Sequence, residues 1–277
     1  MAESAQEVII RPGQNARHYW RELWLYRELL WFLSWRDVLV RYKQTSIGVA
    51  WALLRPFLTM LVFTVVFSHV ARLPSEGSAP YAIMVFTGLL PWFFFAGALS
   101  QTGNSLVENE RMITKIYFPR MVIPLSAILV ALFDFLISGL LLIGLFIWFE
   151  FYPNWHVIAV PLFTGLALTA ALGPGFLMAA LNVKYRDFRH VVPFVVQIGL
   201  YLSPVGYGSS LVPEAWRLGY SLNPMVGVID GFRWSLLAGE FSFYWPGFLA
   251  SITTNAVLLV VGVLYFRRTE RSFTDVI

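Results

Sequence analysis

Two ionisable residues stand where a soluble protein would not place them. Arg55 precedes Pro56 inside RYKQTSIGVAWALLRPFL, Arg41 to Leu58, a stretch that begins basic and ends apolar. Asp134 lies in the middle of VIPLSAILVALFDFLISGLLLIGLFIWF. A guanidinium at the depth of Arg55 can simply snorkel outward, or it can reach phosphates and meet an anionic lipid head. Pro56 removes a helical hydrogen bond, and the freed backbone groups must be satisfied by a neighbour or by water. A carboxylate deep in an apolar run is costly, which makes Asp134 a candidate for function, for pore lining or for a hydrogen-bonded structural role. One acid alone is a poor proton or sodium relay, and this weighs against an ion-driven carrier.

Other chemistries lack their residues. The lysines are Lys43, Lys115 and Lys184, and none follows a glycine, so no GxxxxGK[ST] phosphate loop exists. His18, His69, His156 and His190 are isolated, with no HExxH, and no GxSxG elbow occurs. The chain has no cysteine, hence no thiolate ligand or nucleophile. The reading is therefore no catalytic residue, no metal and no cofactor in this chain. What is abundant is aromatic surface: 24 Phe, 12 Tyr and 11 Trp. Aromatic faces pack flat on sugar rings without fixed charge. Tyr81, Phe86, Trp92 and Phe95, around LLPWFFFAG, can share one helical side. With Trp51 and Tyr201 they are candidate channel-lining residues, the alternative being lipid-facing or core packing.

These residues must be positioned by membrane helices. Of the 277 residues, 58% are hydrophobic and only 13% charged, where a soluble domain carries roughly 25% charge. About 20 apolar residues cross a bilayer, and six segments qualify: Gly48–Val70, Tyr81–Leu99, Val122–Phe149, Val157–Leu181, Val191–Gly208 and Trp245–Phe266. The fifth is near the lower limit. Of the 20 Lys and Arg, only Arg72, Arg217 and Arg233 fall in the odd-numbered loops, with Arg55 at a boundary. The positive-inside bias then places both termini in the cytoplasm. The opening MAESAQEVIIRPGQNARHYW has no continuous apolar core and reads as cytoplasmic rather than as a signal peptide. The net charge of +4 reflects this loop bias and no nucleic-acid partner is expected.

Two regions depart from plain spans and loops. At about 100° per residue, Trp20, Trp24, Trp31 and Trp35 fall on one helical stripe, which fits an amphipathic helix in the membrane interface or one packed on other protein. Ser209–Glu240 is too charged to span and too apolar for a free loop. It fits two short half-helices dipping in from the outer face, or two helices lying on it. The expected architecture is an all-α polytopic membrane protein. Residues 1–47 form a cytoplasmic segment with interface and coupling helices, and 48–277 form a six-span domain. The charged connections 108–120 and 182–190 can be solvated loops or a docking surface for a soluble partner.

Five stretches, taken in order, resemble the membrane subunit of ABC-2 type exporters of lipid-linked polysaccharides such as O-antigen and, more distantly, capsule and teichoic acid. They are RDVLVRYKQTSIGVAWALLRPFL, TGLLPWFFF, NSLVENERMITKIYFPR, LNVKYRDFRHVVPFVVQIGLYLSPVGY and SLNPMVGVIDGFRW. The resemblance implies the ABC-2 (type V exporter) fold in the bacterial inner membrane, as a homodimer with two copies of a separate ATP-binding subunit that holds ATP and Mg. It implies a polyprenyl-pyrophosphate-linked glycan entering from the cytoplasmic leaflet and Ser209–Glu240 as an outer gate. Arg41, Lys43 and Arg55 are then the candidate lipid entrance. Arg36, Asp37, Arg41, Glu108, Glu110 and Arg111 are candidates for contact with the ATPase, because a chain with no nucleotide site needs an external engine. Other classes are a membrane-embedded glycosyl or acyl transferase, which would need clustered acids or a metal site, and an ion-coupled carrier.

Overall fold

Backbone N–H and C=O groups in hydrocarbon find no water, so a chain this apolar has to satisfy them within helices. The computed structural model describes residues 16–43, 49–185, 187–237 and 243–273, and among these helices are the regular structure, with no strand. The bend expected at Gly48, the position of Arg186 and the end of the Ser209–Glu240 segment lie outside the described residues.

In chain order the helices are α1 (Ala16–Leu25), α2 (Arg27–Lys43), α3 (Val49–Phe63, extended by wider π-helical turns over Thr64–Val70), α4 (Tyr81–Glu108), α5 (Glu110–Lys115) and α6 (Val122–Trp148). They continue with α7 (Val160–Lys184, led by a 3-10 turn over Trp155–Ala159), α8 (Phe188–Leu202), α9 (Glu214–Tyr220), α10 (Pro224–Leu236) and α11 (Trp245–Thr269). Five stretches are long and apolar enough to cross a membrane: 50–70, 81–108, 122–148, 155–184 and 245–272.

Five of the six expected spans stand as long apolar helices, and the remaining one, the fifth, is a shorter apolar helix. Where the sequence promises a fifth span over Val191–Gly208, α8 is a helix of 15 residues, about 22 Å at 1.5 Å per residue, short of a roughly 30 Å hydrocarbon core. Ser203 is extended, with ψ 152°, as the residue before Pro204 prefers to be. The remaining 203–208 leaves the helix and packs inward.

α4, apolar over its first half, is the central post, buried on most sides against α6, α7 and α10. The main hydrophobic core surrounds its first half, with Phe86, Leu89, Phe135, Phe163, Ile229 and Phe232. A second core forms at its other end. Leu33 of α2, Leu106 of α4, Ile113 of α5, Met121–Ile123, Phe176 and Ala179 of α7, and Phe266 and Phe273 pack there. The outer flanks of α6, α7 and α11, with Leu140, Ile158 and Leu264, stay exposed and apolar, as lipid-facing surfaces do.

α1 and α2 carry the tryptophan stripe. Hydrogen bonds Tyr26 N–Glu22 O (3.1 Å) and Leu30 N–Tyr26 O (3.0 Å) carry the backbone across the break between them. Trp20, Trp24, Trp31 and Trp35 are all exposed, with Trp31 and Trp35 stacked at 6.3 Å. The second half of α2 then runs beside α6. Ser34 Oγ donates to Ser126 O at 3.5 Å, and eight residues later on each helix Tyr42 bonds Asp134. Equal spacing on both helices means they climb together by about 12 Å. Arg41 therefore stands beside the middle of α6 rather than ahead of the first span.

α7 and α11 cross at two glycines. A Cβ on Gly262 would lie 2.0 Å from Gly173 O, and one on Gly173 would lie 2.6 Å from the Leu258 carbonyl carbon. Gly262→Val should force the helices apart and cost about 1–3 kcal/mol or more. Thermal unfolding of the purified protein in detergent should show a clear loss for it. Gly144→Ala, where nothing lies within 4 Å, should show none.

Candidate functional site

Between α2, α3, α4, α6 and α8 lies a polar cavity of about 710 Å³ at mid-height of the bundle. Its charged lining is Arg41, Arg55 and Asp134, joined by Tyr42, Trp51, Gln101 and Ser138. Arg41 Nη1 and the Tyr42 hydroxyl both bond the Asp134 carboxylate. The pair is neither buried nor free, with side chains 39% and 30% exposed. Arg55 is exposed to the cavity, and its guanidinium lies over the Phe93 ring at 5.8 Å. Helix α3 continues through Pro56. Having no N–H, Pro56 leaves the Ala52 carbonyl without its helical partner, and Ala52 also lines the cavity. Thr59 Oγ1 donates to Arg55 O at 2.9 Å.

A second cavity of about 340 Å³ shares Arg41 and Gln101 with the first and leads along α2 and α4 to Asp37, Glu108 and Asn109. A polar track thus runs from the α5 end of the bundle to its middle. At that end Arg36 pairs with Asp37 (2.7 Å) and reaches Asn109 Oδ1 (3.4 Å), while Glu108, Glu110 and Arg111 are exposed. Lys43 is exposed and does not line the cavity. Nearby, Tyr19 Oη donates to Glu270 Oε2 at 2.7 Å and Arg120 bonds the Glu270 carbonyl, tying α1 to the end of α11. Burial pushes the Tyr19 hydroxyl up, with Glu270 adding to the shift, so it remains a donor.

The expected aromatic wall is not assembled within the chain. Phe86 is wholly inside the core. Trp92 and Phe95, 5.5 Å apart, line a separate apolar groove of about 560 Å³ under α8. Trp51 lines the polar cavity, Tyr201 is exposed, and Tyr81 donates to Gly206 O (2.5 Å) at the far end. The aromatic that faces Arg55 is Phe93, inside the same cluster but turned away from Trp92 and Phe95 on α4.

The far end holds a group the sequence reading passed over. Arg233 is 0% exposed. Its Nη1 donates to Tyr207 O (2.8 Å) and meets Glu76 Oε2 (3.4 Å), and its Nη2 donates to Val205 O (3.0 Å). One side chain on α10 thus fastens both the 203–208 turn and the loop after α3. Asn223 caps α10 by accepting from Met225 N at 3.0 Å. Asp230, one turn before Arg233, is buried with Oδ1 unpartnered. Burial pushes its carboxyl up to about 7, Arg233 pulling the other way, and burial likewise raises Glu76 against Arg233. The available signal was an Asp and an Arg three residues apart in the otherwise apolar PMVGVIDGFRWSLL.

The profile describing ABC-2 type transporters matches residues 28–237, from α2 through α10. The chain belongs to the ABC-2 type transporter family. It is similar to an O-antigen export system permease protein RfbA of Myxococcus xanthus, 32% identical over 215 residues, covering 77% of this chain and 82% of the relative. It is also similar to one of Klebsiella pneumoniae, 26% identical over 251 residues, covering 90% and 95%. Both relatives are named as permeases, and the long apolar helices fit a multi-pass membrane protein.

In this ABC-2 chain the Asp230 cluster makes a pH prediction. An acid raised on folding holds its proton more tightly in the native state, so its contribution is fully present below its ordinary value of 3.8 and fades as pH climbs through about 7. Asp230→Asn removes that slope. The variant should match the parent near pH 3.8, pull ahead of it in melting temperature as pH rises to about 7 and keep that lead at pH 8, checked by thermal unfolding across this range.

Proposed function

We propose that this chain is the membrane-spanning permease subunit of an ATP-driven exporter that carries a polyprenyl-pyrophosphate-linked, O-antigen-like polysaccharide outward across the bacterial inner membrane. The observation that supports it most is the mid-height cavity in which Arg41 and Arg55 stand together in a chain akin to O-antigen permeases. Two guanidiniums at a membrane-level opening suit the phosphates of a lipid-linked sugar, and neutral polar groups such as Gln101 add hydrogen bonds without fixed charge.

In this reading the α5 end is cytoplasmic and both termini lie on that side. The lipid-linked glycan enters there along the track from Asp37 and Glu108 to Arg55, with Lys43 nearby. Two copies of the chain enclose the path. α3 and α8 bury few side chains and flank the cavity, so they are the faces left for the second copy, and Trp51 and Tyr201 on them would face the glycan. Two ATP-binding subunits, which hold ATP and Mg, dock on Arg36, Asp37, Glu108, Glu110 and Arg111. Because α1, α2, α5 and the end of α11 share one core, a push on α5 moves the entrance with it. The helices α9 and α10 act as the outer gate, with Arg233 as its fastening. Asp134 is already engaged by Arg41 and Tyr42, which disfavours a relay in an ion-coupled carrier.

Losing one charge-assisted contact to a phosphate costs about 1.5–3 kcal/mol. Arg55→Ala and Arg41→Ala should each lower export of surface glycan by about tenfold or more, with yield and assembly intact in Arg55→Ala. Unchanged export in both would remove the head-group role. A charge-reversed Glu110→Lys/Arg111→Glu chain should lose co-purification with its ATP-binding subunit, and retention of the complex would displace the docking surface from α5.

A further inference from the structure

We infer that Asp134 is a built-in competitor for the head group: in the empty cavity it takes the place of the anion on Arg41, and it must be displaced for the head group to bind fully. The inference rests on the head-group reading of this cavity proposed above, and it assigns to Asp134 the tuning of affinity and release.

The two cations of the cavity are in different states. Arg41 is held by the Asp134 carboxylate, whereas the contact of Arg55 is the face of Phe93. Both line the same space, so an anion that enters meets one cation available and one already engaged. Exposure decides whether that engagement is exchangeable. A wholly buried ion pair would be locked, because freeing either partner leaves an uncompensated charge. A pair on the open surface would hold little. This one is intermediate, 39% and 30% exposed, and faces the cavity from its own wall. When Arg41 turns to a phosphate, Asp134 keeps the hydroxyl of Tyr42 and is not orphaned. The exchange swaps one anion for another on the same guanidinium.

Such a competitor has a physical use. Passage through a membrane path needs sites that bind well enough to admit a ligand and weakly enough to let it go. Two free guanidiniums at this depth would retain a doubly charged head group. A carboxylate that returns to Arg41 lowers the affinity and speeds departure. Asp134 touches the group that touches the ligand, so it is a positioning residue. Besides holding α2 on α6, it leaves a signature that a merely structural contact does not, since removing its charge should tighten binding.

The test uses the full chain in nanodiscs of zwitterionic phosphatidylcholine, with farnesyl pyrophosphate and inorganic pyrophosphate as separate probes. Asp134→Asn should bind farnesyl pyrophosphate about tenfold tighter than the parent, and Arg41→Ala should bind it more weakly. In the Arg41→Ala background, Asp134→Asn should give a clearly smaller gain, as coupled partners do. Tight binding of inorganic pyrophosphate at the same level would mark a phosphate site rather than a lipid one, and would overturn the lipid head group as occupant. No tightening in Asp134→Asn, or equal tightening with and without Arg41, would overturn the competitor role. If Asp134→Asn does not fold, Asp134→Ser carries the same expectation. Failure of both to fold would make the carboxylate a fold anchor and the inference wrong. The underlying head-group reading fails separately, if the parent, Arg41→Ala and Arg55→Ala all bind the probe alike.

Discussion

A carboxylate at mid-depth in an apolar helix has to be met by a cation or a donor, and that requirement governs how the N-terminal part of this protein sits. Asp134 is met from α2 by Arg41 and Tyr42 together. The contact holds the end of α2 against the middle of α6, while Ser34 and Leu33 hold its first half near the start of α6 and the second core. A helix that composition alone would leave on the membrane surface is thereby drawn up along a span. The same contact brings Arg41 into the cavity that Arg55 also lines.

The rest of the architecture divides into a stiff part and a less supported one. α4, α6, α7, α10 and α11 pack through small residues and large buried aromatics, with Gly262 pressed on Gly173 and Gly231 against the Phe163 ring. Little rearrangement is possible there without breaking contacts that are already at van der Waals limits. α3 and α8 are different. Only Val192 is buried along α8, and α3 buries little beyond Pro56, Met60 and Phe63. Both border the polar cavity. The elements with least internal packing are therefore those next to the charges, and the elements with most form the frame.

Much of this was legible from residue order. The apolar runs marked five long spans to within a few residues at most ends, because hydrocarbon thickness leaves few other lengths. Arg55 and Asp134 stood out because charge is rare in such runs, and the cavity brings both together. Three things were not legible. The partner of Asp134 lies 93 residues away, and no local pattern links them. The length of α8 was not legible because hydropathy continues through Pro204–Tyr207, whereas the helix ends at Leu202. The aromatic set does not form one wall because, at about 100° per residue, Phe86 points to the side of α4 opposite Phe95, so the four cannot share one side.

Arg233 shows why charge counting by loop does not say what a charge does. As one of the few basic residues on its side it helped assign orientation, yet it acts as a buried cross-link rather than as a loop charge. An arginine has five donors in a fixed fork and cannot shed its proton. Placed at 0% exposure, it has to be surrounded by acceptors, and the 203–208 turn supplies two carbonyls that have no helical partner. The turn needs the donors because α8 ended early, and the arginine needs the carbonyls because Glu76, at 3.4 Å, is only a loose partner. The early stop of α8 and the burial of Arg233 are two sides of one arrangement. Loosening either would free the loop after α3 and the α9–α10 helices together, which makes this end of the bundle one mechanical unit rather than a set of loops.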